Sequence, residues 1–514
     1  MKAINHIELA KLLRIAKAQA VDGVVLRTGK LPQRVREVLR DSGWLREIFK
    51  GYALLVEPSS KENDETLWQG NYWTFLSVYL QERFGNNYVL SPDNSLDVLT
   101  ASNVLPKQVI AYATKGGQAT TELPHNYSIF TSIVPASRMP SQTTVYNGLR
   151  VMPMEIALAR AVPVFFEKSP ANARVAFISA DVAKLAQAIA VDKQAEAAAL
   201  RIFHGLRSVG RIDEAKTFTS LLQAAGFSFK PAAEEPAPQE VVPIRTRSPY
   251  AARIFDLWAE LRGPVVEMFP APPDVLRDPA EILKSLEDSY VHDAYHSLSI
   301  EGYRVSEELI ERIARGEWNP DAAEDKETVA AMAAKGYYEA FQAVKKGIAV
   351  ALENKRPVEV VQHDFQVWYA KLFSPSVHAG ILTNADLIGY RNGPVYIRTS
   401  MHVPPQKDAV PDAIDALFAC LLKEENPAVR AVLGHLVFTY IHPYTDGNGR
   451  IGRFLMNFML VTAGYPWTII RSNPQQKTAY LSGLEQASVH RNIVPLVKFI
   501  IEEMNIAWSN PVRS

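Results

Sequence analysis

Apolar positions recur at helical spacing from the start of the chain. In IELAKLLRIAKAQA, Leu9, Leu12, Leu13 and Ala16 fall on one face. A second helix is expected in LPQRVREVLRDSG, with Pro32 near its start and Gly43 just past its end. WLREIFKGYALLVEP then reads as a short hairpin turning at Lys50-Gly51. Between residues 58 and 229 the patterns mix, with NYVLS and TTVYNGLRV as strands and DVAKLAQAIAV as a helix. The stretch 230–249, KPAAEEPAPQEVVPIRTRSP, has neither period and reads as a semi-extended linker. Everything after it has helical period except 387–405, and no internal repeat is visible. The predicted architecture is multidomain. A small helical module (1–57), a mixed α/β accessory domain (58–229) and the linker (230–249) precede a mainly α-helical domain (250–510) with one β-hairpin.

Composition narrows this picture. A chain of 514 residues is too long for one ordinary core, and 47% hydrophobic with 21% charged residues is the balance of a soluble globular protein. Formal net charge is zero, so attraction to nucleic acid has to come from a local patch. Residues 1–50 supply one, with eleven Lys and Arg against five Asp and Glu. Helix, basic helix, hairpin is the order expected of a winged helix-turn-helix. Its second helix would offer Arg34, Arg36 and Arg40 to a DNA groove, with Arg36 and Arg40 sharing a face. A solvated basic face or a protein-binding platform fits the same pattern. The segment resembles the N-terminal winged-helix module of AbiEi-like antitoxins, which implies DNA as a partner. The single cysteine, Cys420 in DALFACLL, excludes an internal disulfide and reads as a buried thiol. Charges interrupt the N-terminus, and no apolar run approaches the roughly 20 residues that span a bilayer, so a cytoplasmic protein without a membrane partner is expected. Self-association, as a homo-oligomer, is left open.

One loop carries the chemistry. HPYTDGNGRIGR, residues 442–453, interrupts two apolar helical patterns, NPAVRAVLGHLVFTYI and FLMNFMLVTAG. A hairpin needs alternating flanks, which are absent. A calcium loop would place Arg450 where an oxygen ligand belongs. A plain turn needs one glycine and leaves His442, Asp446, Asn448, Arg450 and Arg453 unexplained. A polyphosphate site uses them all. Gly447 and Gly449 let backbone N–H groups face a ligand, the next helix turns its positive end to the same hollow, and Arg450 and Arg453 add cations. Asp446 is placed to hold Mg²⁺ with the phosphates, and His442 to act as a base at the rim.

The loop matches the Fic signature, H-P-F-x-D/E-G-N-G-R-x-x-R, with Tyr444 in place of the usual Phe. The resemblance covers roughly residues 250–510. It implies transfer of AMP from ATP to a Ser, Thr or Tyr hydroxyl of a protein target, with pyrophosphate leaving. By that resemblance His442 deprotonates the hydroxyl and Asp446 binds Mg²⁺. Gly447, Asn448, Gly449 and Arg450 cradle the phosphates, and Arg453 holds the γ-phosphate. The intact Gly449 and Arg453 argue against the phosphotransferase branch of Doc type.

Three further stretches bear on the site. LIGYRNGPVYIRTSMHVPP, 387–405, resembles the Fic flap, which would pair with the target as an added strand through Gly389, Tyr390, Arg391, Asn392, Gly393, Val395 and Ile397. In QQKTAYLSGL, Tyr480 stands as a nucleoside contact or, equally, as a core tyrosine. SLSIEG matches the Fic inhibitory pattern, S/T-x-x-x-E-G/N, with Ser297, Glu301 and Gly302 at its fixed positions. There Glu301 would pair with Arg453 and deny it to the γ-phosphate. HDAYH spaces His292 and His296 for zinc, but Asp293 stands where a metalloprotease needs Glu, and a solvated or packed helical face is preferred. Two alternatives stay open: removal of AMP from a modified protein, and a DNA-binding regulator whose Fic domain only senses ATP.

Overall fold

The structure is a computed structural model, describing residues 6–56, 65–192, 196–229, 231, 246, 248–273, 278–317 and 325–509. The expected linker at 230–249 lies almost wholly outside the described residues. The chain is mainly helical with a few small sheets, and divides into two compact units. Residues Met1–Arg253 with Tyr396–Val403 form the first, and Ile254–Val395 with Pro404–Ser514 the second.

The first unit opens with α1 (His6–Gln19), β1 (Val25–Arg27), α2 (Gln33–Asp41), β2 (Leu45–Phe49) and β3 (Tyr52–Leu55). The strands pair antiparallel in the order β1-β3-β2. Gly51, at φ +80°, makes the β2–β3 turn that the hydropathy pattern placed there. Leu12 and Ala16 of α1 and Val35 and Leu39 of α2 close a small core with Leu26, Leu45 and Ala53. Strand β1 was not anticipated, because three residues are too few to show alternation.

After α3 (Glu65–Phe84), β4 (Tyr88–Leu90) and α4 (Pro92–Leu99) comes a sheet built with β5 (Gln108–Ala113), β6 (Ala119–Leu123) and β7 (Tyr127–Ile133). Its order is β4-β5-β7-β6, with only β5 and β7 parallel. Strands β8 (Thr144–Tyr146) and β9 (Leu149–Val151) form a hairpin whose turn, Asn147-Gly148, is left-handed at both residues. Helices α5 (Met154–Arg160), α6 (Pro163–Lys168), α7 (Pro170–Ser179), α8 (Val182–Asp192), α9 (Glu196–Ser208) and α10 (Ile212–Ala224) enclose a separate apolar core around Leu185, Ile202 and Phe218. Tyr396 also packs in this unit, its ring so near Gly70 that a Cβ there would lie 1.8 Å away. Its hydroxyl accepts a hydrogen bond from Asn71 Nδ2 at 2.7 Å.

The second unit holds α11 (Pro249–Met268) from Ile254 onward, α12 (Pro279–Ile300), α13 (Glu307–Ala314), α14 (Asp325–Asn354), α15 (Pro357–His378), α16 (Val410–Lys423), α17 (Pro427–Ile441), α18 (Asn448–Thr462), α19 (Pro474–His490) and α20 (Val494–Ser509). Asn426 caps α17 by accepting from the amides of Ala428 and Val429. Helices α17 and α18 are buried along nearly their whole length, which is why α17 is largely apolar all round and α18 is largely apolar beyond Arg453 except at Asn457. Cys420 is buried in α16, where burial pushes its thiol up to about 12. Among the described residues no helix is long and apolar enough to cross a membrane.

The β-hairpin expected at 387–405 does not form. The segment is a short 3₁₀ turn, Asn384–Leu387, followed by irregular backbone. Its polar groups are committed elsewhere: Arg391 N–H donates to Pro443 O at 2.9 Å, and Ser400 N–H to Ile397 O at 3.1 Å. Pro394, Pro404 and Pro405 remove three donors that a ladder would use.

Candidate active site

His442 ends α17 in the left-handed region, at φ 52° and ψ 59°. For a residue other than glycine this costs roughly 1–2 kcal/mol, so the surroundings must hold it there. Its Nδ1 lies 3.1 Å from Thr439 O. A carbonyl can only accept, so Nδ1 carries the proton and Nε2 is left with a lone pair. Burial pushes the imidazolium down to about 4; the Thr439 bond opposes this and Arg391 adds to it. His442 is therefore a neutral imidazole at neutral pH.

The loop that follows is braced from within. Asn448 accepts from Tyr444 N–H at 2.9 Å and donates from Nδ2 to Tyr444 O at 2.8 Å. Its side chain, expected to touch phosphate, is buried in this brace, and only its backbone amide remains for a ligand. Tyr444 stacks on Tyr369 with ring centres 3.8 Å apart, an aromatic anchor that Phe would also supply. Gly447 has φ +81°, and a Cβ there would meet Leu372 and Phe373 at 2.9 Å. The first helical bond of α18 is Ile451 N–H to Gly447 O at 3.0 Å. The amides of Asn448, Gly449 and Arg450 precede it and find no carbonyl in their own helix. They form the positive end of a fifteen-residue helix.

Arg450 is buried, its guanidinium 5.2 Å from the ring of Tyr303 and 5.3 Å from that of Phe373. It donates to Asp446 Oδ2 at 3.1 Å, while Asp446 Oδ1 accepts from Gly447 N–H at 2.6 Å. The Asp446 side chain remains 57% exposed, so its carboxylate is open to a ligand. Among the described residues no group of three or more His, Cys, Asp and Glu gathers as a metal site.

Arg453 meets the SLSIEG segment. Its Nε donates to Ser297 Oγ at 2.8 Å, and Nη2 to Ser297 O at 3.1 Å and to Glu301 Oε1 at 2.8 Å. Burial would raise the Glu301 carboxyl, but Arg453 and Arg450 outweigh it and hold the group below its ordinary value. The same Glu301 charge outweighs burial to push Arg453 up. Glu301 is the residue just past α12, and Gly302 at φ +93° ends that helix. Gly449 makes room for the carboxylate, since a Cβ there would stand 2.3 Å from Glu301 Oε1.

Other expected contacts fall elsewhere. Tyr480 is fully buried, with its hydroxyl 2.8 Å from His435 Nε2, so it is a core tyrosine without a free face for a nucleoside. Arg391 is also buried, its side chain donating to the carbonyls of His442 and Gly393. Gly389 and Asn392 are exposed, whereas Tyr390, Gly393, Val395 and Ile397 are half-buried. His292 lies 3.4 Å from Glu307, and His296 Nδ1 accepts from Ser472 N–H at 3.2 Å, so HDAYH is a packed face. Its Asp293 is a residue the pattern undervalued. It is buried beneath Arg453, accepts from Tyr337 O–H at 2.6 Å, and burial pushes its carboxyl up to about 6 against the pull of Tyr337 and Trp467. Lys477, whose Nζ donates to Ile300 O at 2.6 Å, was missed as well. Its one signal was a lysine in the QQKTAYLSGL segment.

Residues 364–460 match the family model described as the Fic/DOC family. The chain is 28% identical over 224 residues to a protein adenylyltransferase Fic of Nematostella vectensis, covering 42% of this chain and 47% of that protein. It is 27% identical over 230 residues to the protein of the same name from Culex quinquefasciatus, covering 43% and 42%. The matches therefore span less than half the length of these relatives, whose name is that of a class of nucleotidyltransferase. A Fic domain containing signaling protein from Bacteroides thetaiotaomicron aligns with 51% of this chain and 96% of its own, at 19% identity and a TM-score of 0.35.

Proposed function

We propose that this protein transfers AMP from ATP to a Ser, Thr or Tyr hydroxyl of a target protein, and that Glu301 restrains the transfer. The observation that carries the reading is the neutral His442, with Nε2 unprotonated, on the loop that opens α18 beside Arg450 and Arg453. Nε2 takes the hydroxyl proton as the oxygen bonds to the α-phosphorus. The bond from that phosphorus to the β-phosphate bridging oxygen breaks, and pyrophosphate leaves. The amides of Asn448, Gly449 and Arg450 hold the phosphates. Arg453 is the cation for the γ-phosphate once Glu301 gives it up.

Asp446 would hold Mg²⁺. Its exposed carboxylate fits an ion that takes one protein carboxylate and completes its shell with phosphate oxygens and water. Such an ion would neutralise phosphate charge. Incubation with α-labelled ATP tests the whole reading. Label should appear on protein with Glu301→Gly and disappear with the added change His442→Ala. ATP binding without any label would support the sensor instead.

The module of residues 6–56 is proposed as a DNA-binding winged helix, because Arg36 and Arg40 line one cleft with Thr28, Leu45 and Glu47. Arg34 contributes less, being paired with Glu8. A cytoplasmic location accompanies this reading.

A further inference from the structure

Arg391 is a buried cation in the second unit. It is 5% exposed, burial pushes its guanidinium down to about 10, and among the described residues no carboxylate acts on it. A buried charge of this kind needs compensation. The compensation comes from backbone carbonyls: Nε donates to His442 O at 2.8 Å, Nη1 to Gly393 O at 3.1 Å, and Nη2 to Pro405 O. Its own N–H donates to Pro443 O at 2.9 Å. His442 is the last residue of the α17 cap, so its carbonyl belongs to the negative end of that fifteen-residue helix. The cation and the helix end answer each other.

We propose that Arg391 is a positioning residue for His442, clamping the left-handed His442–Pro443 backbone so that the imidazole stays aimed into the loop. The proposal rests on the reading of His442 as the base. It changes the part expected of Arg391, from a target contact on a strand to an internal clasp. Three features support it. The His442 backbone is strained and needs holding. The clasp grips both carbonyls at the strained step, those of His442 and Pro443. And the side chain also binds Gly393 O and Pro405 O, so the same clasp ties the 387–405 segment to the base.

Charge adds a second effect. The groups that act on the imidazole are Arg391 from this segment, Glu301 from the end of α12 and Asp446 from the loop itself. Arg391 opposes protonation, and the two carboxylates favour it. Removing the cation therefore raises the pH at which His442 takes up a proton.

The test uses Arg391→Gln and Arg391→Lys in the full chain. Transfer is measured in the Glu301→Gly background, and imidazole titration by NMR with Glu301 intact. With Arg391→Gln, kcat should fall about 10–100-fold with KM for ATP unchanged. The acid limb and the imidazole midpoint should both move up by about 1 pH unit. Arg391→Lys keeps the charge but has no fork to span three carbonyls, so kcat should fall while the limb stays. Unchanged kcat and limb in Arg391→Gln would overturn the proposal. So would a lower kcat with a wild-type titration, which would make Arg391 a folding residue only. If Arg391→Gln does not fold, wild-type kcat in Arg391→Lys overturns it instead. Absence of label with Glu301→Gly alone would sink the transferase reading, and the titration would still decide the role of Arg391.

Discussion

Replacing Glu301 with Gly should release AMP transfer. Arg453 makes three contacts with the α12 end, and only the 2.8 Å bond to Glu301 Oε1 pairs it with an opposite charge. The two bonds to Ser297 hold the guanidinium in place and are kept in the variant. The side chains are 4% and 25% exposed, so solvent screens the pair only in part. A hydrogen bond to a charged group is worth about 1.5–3 kcal/mol net. At 1.36 kcal/mol per decade, freeing Arg453 for the γ-phosphate raises the rate about 10–150-fold. The assay is the initial rate of label transfer from α-labelled ATP, self-modification included. Arg453→Ala should be poorly active, and the double variant no faster, since a restraint acting through one arginine then has nothing to act on. A rise of less than about threefold would refute the reasoning, as would strong activation in the double variant. Mild acid should not mimic the variant. The Glu301 carboxyl is held below its ordinary value, so the ion pair is complete above the unfolded carboxylate range and is lost only as pH falls through the lower folded value.

Further outcomes can be checked separately. His442→Ala should lower transfer about 10²–10⁴-fold with ATP affinity unchanged, by titration calorimetry, because the base meets the hydroxyl and not the nucleotide. Since protonation of His442 is pushed down to about 4, the wild-type imidazole should show no titration by NMR between about pH 8 and pH 5.5. Gly336→Ala should lower the thermal midpoint, because a Cβ there would stand 1.9 Å from the backbone oxygen of Leu372; α14 and α15 must part, at a cost of about 1–3 kcal/mol. If the first module binds DNA, affinity should fall steeply with salt. Arg36→Ala or Arg40→Ala should flatten that slope by about 1, and salt-insensitive binding would argue for a protein partner.

Much of the fold was legible because burial leaves a period. Leu12 and Ala16 announced α1, and Pro32 and Gly43 bounded α2, whereas TTVYNGLRV, expected as one strand, is the β8–β9 hairpin turning at Asn147-Gly148. Strand β1 was hidden, since three residues carry no period and its pairing with β3 is a contact across half the module. The 387–405 segment misled for a different reason. Its alternation of apolar and polar residues is that of a strand, but alternation shows only that a segment is half-buried. Which partner its backbone takes is decided by groups far along the chain, here the carbonyl of Pro443, which accepts from Arg391 N–H.

The candidate site shows the same division at the level of single residues. The signature loop was legible as a unit because glycines, a histidine and two arginines between buried helices have no use in a turn. The part played by each residue was not legible. Asn448 and Gly447 are polar or small as a phosphate site requires, yet one braces Tyr444 and the other avoids Leu372 and Phe373. Their roles are set by what packs around each of them, which a one-dimensional pattern does not encode. Tyr480 follows the same rule: its hydroxyl finds His435 inside the core, a partner 45 positions away. Pairs across the fold become readable only when both members stand out by type. Glu301 and Arg453 did, since each sits at a fixed place in its own short pattern, and the structure sets them 2.8 Å apart. Arg391 and the carbonyl of His442 did not, because every residue has a carbonyl. A clasp onto backbone is therefore the kind of interaction that sequence hides best.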